Sequence, residues 1–246
     1  MEQEKVVLVT GGSRGIGRAV VLGMAQKNMR IAFTYASRAD AANETVQAAR
    51  EAGAADVVSL ACDMAQAEGA AALPKKIHEK WGRLDVLVNN AGLTRDGPFA
   101  LMPQEQWLEV LSINLVNTIR LTEEALPLLA QTQGIVLSVS SLAGRAGKEG
   151  QVPYSTTKSG IIGMTRLIAR ACRDHGIRAV AVLPGFINTD MIGELGAKAM
   201  EPTLTGSVRT HPGEPENVAA LCTFLASESA RYLDGAVVPI DGGFRK

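Results

Sequence analysis

Val6-Val7-Leu8-Val9-Thr10-Gly11-Gly12-Ser13-Arg14-Gly15-Ile16-Gly17 is the stretch that decides how this chain is read. Four branched apolar residues make a short strand bounded by glycines. From Gly15 onward the apolar side chains recur at helical spacing. A strand that turns through glycines into a helix offers free backbone N–H groups and the positive end of the helix dipole to an anion. Glycine also lets the backbone turn tightly and approach a phosphate with no Cβ in the way. A plain strand-to-helix connection has the same composition, so the meaning of the turn depends on the rest of the chain.

Beyond Gly17 the same alternation repeats. The patterning predicts strands at 5–9, 30–35, 56–61, 86–89, 134–139, 178–183 and 237–240. Between them it predicts helices near 15–27, 39–52, 65–81, 103–130, 154–175 and 215–227. Repeated β-α-β units imply parallel strands joined by right-handed crossovers. No Gly/Ser/Pro-rich linker, repeat or low-complexity tract divides the 246 residues. The expectation is therefore one α/β domain: Rossmann-type, doubly wound, with a seven-stranded parallel sheet and helices on both faces. Ligands of such sheets bind outside the carboxyl ends of the strands, where the strand order reverses.

Composition narrows the function. Lys+Arg and Asp+Glu balance at 25 each, which speaks against a nucleic-acid surface or a polybasic membrane anchor. No apolar run approaches the ~20 residues that span a bilayer. The strand at 5–9 is too short and wrongly flanked for a signal peptide. Cys62, Cys172 and Cys222 are far apart and odd in number, which suits buried thiols in a reducing cytosol better than disulfides or zinc. His78, His175 and His211 have no metal partner at useful spacing, His175 being read as a helix-end cap. The expected setting is cytoplasmic, with no nucleic-acid or membrane partner.

The unusual residues fall at strand ends. Asn89-Asn90-Ala91-Gly92 closes the fourth strand, Ser141 comes after the fifth, and Pro184-Gly185 after the sixth. Tyr154 and Lys158 are one turn apart on a predicted helix and so share a face. A Lys ammonium beside a phenol favours the phenolate and pulls the Tyr pKa down from about 10. Such a phenol can deliver a proton to a carbonyl oxygen. Ser141 can polarise the same oxygen, and it has no His/Asp pair to make it a nucleophile.

The spacing Thr-Gly-x3-Gly-x-Gly, with Asn89–Gly92, Ser141, Tyr154-x3-Lys158 and Pro184-Gly185, resembles the short-chain dehydrogenase/reductase family over essentially the whole chain. The run Pro184-Gly185-Phe186-Ile187-Asn188-Thr189-Asp190-Met191 and the ending Asp241-Gly242-Gly243 look most like 3-oxoacyl-(acyl-carrier-protein) reductases. The resemblance implies a catalytic set of Asn114, Ser141, Tyr154 and Lys158, with Lys158 also on the nicotinamide ribose. Asn114 lies on a helix face with Trp107, Leu111, Thr118 and Leu121. A polar residue there reads either as a satisfied core amide or, in the family, as part of a water-holding relay to Lys158. Dinucleotide contacts are expected from Gly11, Ser13, Arg14, Gly15, Ile16, Gly17, Asp63, Met64, Asn89, Ala91, Gly92, Pro184, Gly185, Ile187 and Thr189. Asp63 can also cap a helix starting near Ala65.

The second strand ends without the carboxylate that would take the adenosine ribose of NAD. Ser37 and Arg38, helped by Arg14, can instead hold a 2′-phosphate, so the expected cofactor is NADP(H). The expected reaction is reduction of a ketone to a secondary alcohol, with a 3-oxoacyl thioester as substrate. Leu93, Val152, Phe186, Met191 and Ile192 are candidate pocket walls, Thr94-Arg95-Asp96 a pocket rim, and residues 190–212 a substrate loop. The region around Thr132 lacks the basic residue that carrier-protein reductases present, while Arg170, Arg173 and His175 remain for docking an acyl carrier protein. A homotetramer or homodimer is expected through the helix 103–130 and the last strand, with Pro127 bending or ending that helix. The alternatives are an NAD(P)-dependent alcohol or sugar dehydrogenase, and a non-catalytic dinucleotide sensor. The intact Ser-Tyr-Lys set speaks against the sensor.

Overall fold

Alternation along each strand sends side chains to two helical layers. The computed structural model describes residues 4–189 and 206–244. Its strands are β1 (Val6–Val9), β2 (Arg30–Tyr35), β3 (Asp56–Ala61), β4 (Val86–Asn89), β5 (Ile135–Val139), β6 (Arg178–Pro184) and β7 (Val237–Ile240). These seven strands pair in parallel, in the order β3-β2-β1-β4-β5-β6-β7. Val7, Val9, Ile31, Phe33, Val86 and Val88 face one layer, formed by α1 (Gly15–Ala25), α2 (Ala39–Glu51) and the last long helix (Pro215–Leu225). Val6, Leu8, Leu87 and Val136 face the other. That second layer holds α3 (Ala67–Ala71), α4 (Leu73–Trp81), α5 (Gln104–Leu111), α6 (Asn117–Thr132) and α8 (Val152–Ala171). Each fully buried Val, Leu or Ile contributes about 1.5–3 kcal/mol, which is why the strands read as unbroken apolar runs.

The sheet matches the predicted strands to within a residue at each end; the helices differ in instructive ways. The expected helix 65–81 is two helices meeting at Ala72, with Pro74 in the first turn of the second, where its missing N–H costs nothing. Gln66 is the N-cap of α3, so Asp63 is not the cap; its Oδ1 accepts from Ala65 N–H at 2.9 Å across the preceding turn. The long helix is broken by a π turn, Ser112–Val116, and begins at Gln104. Pro127 neither ends nor breaks α6, which runs on to Thr132. Pro127 and Glu123 lie on the exposed side, so the carbonyl left without a donor meets water. Buried Leu121, Ala125, Leu128 and Leu129 hold the other side down. A short helix, α7 (Leu142–Ala146), was not expected. His175 sits in a separate 3-10 turn after α8 rather than capping it. The last long helix is α9 and carries a capping box between Glu214 and Asn217.

Among the described residues no helix is long and apolar enough to cross a membrane, and no group of His, Cys, Asp and Glu could hold a metal ion. All three cysteines are free and buried, and burial pushes the Cys222 thiol up to about 12.

Candidate active site

The strand order reverses at β1, which pairs β2 on one side and β4 on the other. The loops leaving β1, β4, β5 and β6 meet there around a cavity of about 370 Å³. Thr10 ties two of them together. Its hydroxyl accepts from Asn90 N–H and Ala91 N–H, both at 2.9 Å, while Asn90 Nδ2 donates to Thr10 O at 2.9 Å and Gly11 O at 3.1 Å. Thr34 Oγ1 accepts from Gly11 N–H at 3.0 Å, which clips the same turn to β2. Asn90 is therefore a clamp on the glycine loop, and it lines the cavity as well.

The glycines are required by this geometry. A Cβ on Gly17 would stand 2.0 Å from Gly11 O, a backbone atom that cannot step aside. Gly15 opens α1 at φ +53, and a Cβ there would point across the cradle to Thr189 Cγ2 at 3.4 Å. No side chain caps α1. The turn is thus an open backbone cradle at a helix N-terminus, which fits the pyrophosphate of a dinucleotide.

Of the residues expected to hold the dinucleotide, Gly11, Ser13, Arg14, Gly15, Ile16, Gly17, Ser37, Arg38, Asp63, Met64, Ala91, Gly92, Pro184, Gly185, Ile187 and Thr189 line the cavity. So do Leu93, Ser141, Tyr154 and Lys158. Asn89 does not. It is 5% exposed and points into the sheet-to-helix packing, where its Nδ2 donates to Thr122 Oγ1 at 2.9 Å. The alternation of β4 explains this: Val88 and Asn89 face opposite layers, and only the chain beyond the strand end turns into the crevice. Val152 and Phe186 also fall outside the cavity lining; the Phe186 ring instead lies 5.2 Å from Lys148 Nζ. Met191 and Ile192 lie outside the described residues, as does most of the expected substrate loop. Thr34, Tyr35, Ala36, Cys62, Ile113, Val139 and Ser140 line the cavity although no motif marks them. Their common signal is position at or just beyond a strand or helix end facing the switch point.

Tyr154 and Lys158 stand on α8, in its first two turns. Ser141 is the N-cap of α7: its Oγ accepts from Ala143 N–H at 3.2 Å, and it lines the same cavity as Tyr154. Lys158 Nζ donates to Val139 O at 2.8 Å and lies 5.7 Å from the centroid of the Tyr154 ring. Ser140 Oγ donates to Lys158 O at 2.7 Å, so the last residue of β5 and the one after it hold the lysine at both ends. The expected lowering of the phenol pKa by Lys158 is not what the geometry produces. Burial raises the Tyr154 pKa, the nearby Ser141 hydroxyl lowers it, and the Asp96 carboxylate raises it again, leaving it above the ordinary value. Burial also pushes Lys158 down, to about 8.

Asn114 lies in the π turn and not on a regular helical stripe. Its Oδ1 accepts from Leu93 N–H at 2.9 Å, and its Nδ2 donates to Leu93 O at 2.8 Å and Thr157 Oγ1 at 3.3 Å. The side chain does not line the cavity; it is a satisfied amide that pins the β4 exit loop beside α8. A Cβ on Gly92 would come within 3.1 Å of Asn114 Oδ1 and 3.5 Å of Lys158 Nζ, so the two side chains flank the same turn.

A doubly wound parallel sheet with this cradle and a Ser-Tyr-Lys cluster defines an oxidoreductase of the nucleotide-binding α/β type. The family described as Enoyl-(Acyl carrier protein) reductase matches residues 11–245. The chain is 36% identical over 244 residues to the 3-oxoacyl-(acyl-carrier-protein) reductase FabG of Staphylococcus aureus, covering 99% of both chains. It is 38% identical over 241 residues to the 3-oxoacyl-(acyl-carrier-protein) reductase of a Synechocystis species, covering 97% of this chain and 96% of the other. A short chain dehydrogenase from Burkholderia cenocepacia, solved in complex with NADP, superposes with a TM-score of 0.93 at 31% identity over 98% of both chains. The chain belongs to the short-chain dehydrogenase/reductase family.

Proposed function

We propose that this protein reduces a 3-oxoacyl thioester to the 3-hydroxyacyl thioester with NADPH. The observation that carries the reading is that Ser141, Tyr154 and Lys158 line one cavity at the switch point, with Lys158 one turn beyond Tyr154 on α8. Two hydroxyl donors converging on one acceptor suit a carbonyl oxygen, which needs polarisation first and a proton afterwards. NADPH, when bound, supplies the hydride. Gly15 and Gly17 would take its pyrophosphate, Asp63 and Met64 its adenine, and Lys158 its nicotinamide ribose. Ser37 and Arg38, both exposed at the end of β2, would take the 2′-phosphate, with Arg14 beside them. Asp40, the first acidic residue after β2 in the sequence, lies inside α2, exposed and off the cavity lining, which disfavours an NAD-selective ribose site.

A thioester on an acidic carrier has support in the surface charge. The sequence around Thr132 carries no cation, but the fold brings one: Arg231 NH2 donates to Gln133 Oε1 at 2.9 Å, at the end of α6. Arg166, Arg170 and Arg173 line a second, surface cavity of about 390 Å³ with Asp234. Exposed Leu108 and Leu167, on the packed helices α5 and α8, support self-association, as does exposed Tyr232 ahead of β7. Residues 190–212 fit the expected role of a substrate loop by their place after β6.

The test is loss of NADPH absorbance, with NADH in parallel, against acetoacetyl-coenzyme A and an acetoacetyl carrier protein. Consumption of NADPH with either thioester, abolished by Tyr154→Phe, is the expected result. Formation of NADH from NAD with a free alcohol or sugar, and no consumption of NADPH with either thioester, would move the protein to the dehydrogenase reading.

A further inference from the structure

Two loops meet beside Tyr154: the one leaving β4 and the one leading into α8. Asp96 joins them. One carboxylate oxygen accepts from the Thr94 hydroxyl, and the other accepts from Gln151 Nε2 at 2.7 Å. One residue further, Gly97 N–H donates to Gly150 O at 2.9 Å. Gln151 is the N-cap residue of α8, yet its side chain does not cap the helix. It is only 6% exposed and gives its amide to Asp96 instead. A buried amide used in this way ties the start of the helix to a loop 55 residues away in the chain. The first turn of α8 hangs from the same point, since Ser155 N–H donates to Gln151 O at 2.8 Å and Ser155 Oγ accepts from Lys148 N–H at 3.2 Å. Tyr154 stands on that turn.

The charged groups around the phenol come from few elements. Lys158 is on α8 itself, tied to Val139 O. Lys148, on the loop leading into α8, lies over Phe186. Asp96, on the loop leaving β4, is the anion that acts on the phenol, and it raises the phenol pKa.

We propose that Asp96 and Gln151 are a positioning pair for Tyr154: the latch between their side chains fixes the first turn of α8 and keeps a carboxylate near the phenol. This rests on the reading of Tyr154 as the proton donor. A donor must hold its proton until the carbonyl oxygen gains charge, and a neighbouring anion favours the neutral phenol. The latch matters because a misplacement of about 1 Å at a reacting group can cost on the order of 100-fold in rate.

Two variants separate the parts. Asp96→Asn can turn its amide oxygen to Gln151 Nε2 and its amide N–H to the Thr94 hydroxyl, which accepts as well as donates, so it removes the charge and keeps both contacts. Gln151→Ala removes the latch and leaves the charge. The chain has three tyrosines, so the phenolate absorbance of Tyr154 is isolated by subtracting the Tyr154→Phe titration from that of the parent. In Asp96→Asn the Tyr154 phenolate should form at lower pH than in the wild type. The gap should narrow as salt is raised, because Asp96 is exposed and screened. In Gln151→Ala, kcat for ketone reduction should fall about tenfold or more while the dissociation constant for NADPH holds. Superimposable titrations at low salt, or wild-type turnover in Gln151→Ala, would overturn the proposal. A wild-type protein that reduces no ketone would sink the functional reading instead, and the titration would still decide whether Asp96 acts on Tyr154.

Discussion

Lys158 and Tyr154 share a face of α8, with the ammonium 5.7 Å from the ring centroid, yet the ammonium's hydrogen bond goes to Val139 O at 2.8 Å. The lysine is thus anchored to the end of β5 and buried, at 5% exposure, with its pKa pushed down to about 8. This anchoring leaves its charge available to whatever occupies the cavity while fixing its position.

That burial leaves a signature in stability. Below pH 8 both folded and unfolded chains hold the lysine proton, and the folded state bears the full cost of a buried ammonium. Between about pH 8 and 10.5 the unfolded chain still holds the proton and the folded chain has lost it. The unfolded state then binds more protons, so stability rises with pH across this window. Relative to Lys158→Met, the wild type should gain up to about 3 kcal/mol there. Urea midpoints of both proteins at pH 7 and 10.5 check this; a parallel pH dependence in the two would contradict it.

The cradle admits no side chain at Gly17. Gly17→Ala must displace the Gly11 carbonyl, 2.0 Å from the added carbon, and with it the Asn90 clamp. The expected cost is about 1–3 kcal/mol of stability, together with weakened dinucleotide binding. Thermal unfolding and fluorescence titration with NADPH read the two effects separately.

Cofactor choice should turn on Arg38. It lies exposed at the end of β2, on the cavity wall, where a 2′-phosphate would reach. Arg38→Asp exchanges a charge-assisted donor for a carboxylate that suits a free ribose. The ratio of kcat/KM for NADPH over NADH should fall about 10- to 100-fold. An unchanged ratio would mean that other groups hold the phosphate.

Ser138 and Asn89 are register partners on β5 and β4, and the Ser138 hydroxyl and Asn89 Oδ1 are both buried with no hydrogen-bond partner among the described residues. An unpaired buried hydroxyl costs free energy that its removal returns. Ser138→Ala should therefore leave stability unchanged or raise it by about 1 kcal/mol. A clear loss by chemical denaturation would show that the hydroxyl is bonded in solution.

Much of the frame was legible because its signals are local. Val6–Val9, Arg30–Tyr35 and Val86–Asn89 are short apolar runs buried on both sides, and each is closed by turn residues. The cradle announced itself through glycines because no other residue fits there. Helix interiors were harder. Pro127 reads as a breaker in isolation, but the buried stripe of α6 outweighs one missing hydrogen bond. The π turn at Ser112–Val116 has no composition of its own, so the placement of Asn114 could not be read from helical spacing. Asn89 and Asn90 are neighbours of the same type, and only the pleat at the strand end assigned one to the core and the other to the clamp.

The sequence by itself determined the order of strands and helices, the glycine cradle and the presence of Ser141, Tyr154 and Lys158, because periodicity and turn chemistry act over a few residues. Tertiary structure alone decided which distant loops touch. It set Thr10 against Asn90, Asp96 against Gln151 and Arg231 against Gln133. It also set the ionisation of Tyr154 and Lys158, which depends on burial and on charges from other elements. The reason is physical: crossovers and register bring together residues that no local pattern links, and desolvation exists only once the core has closed around them.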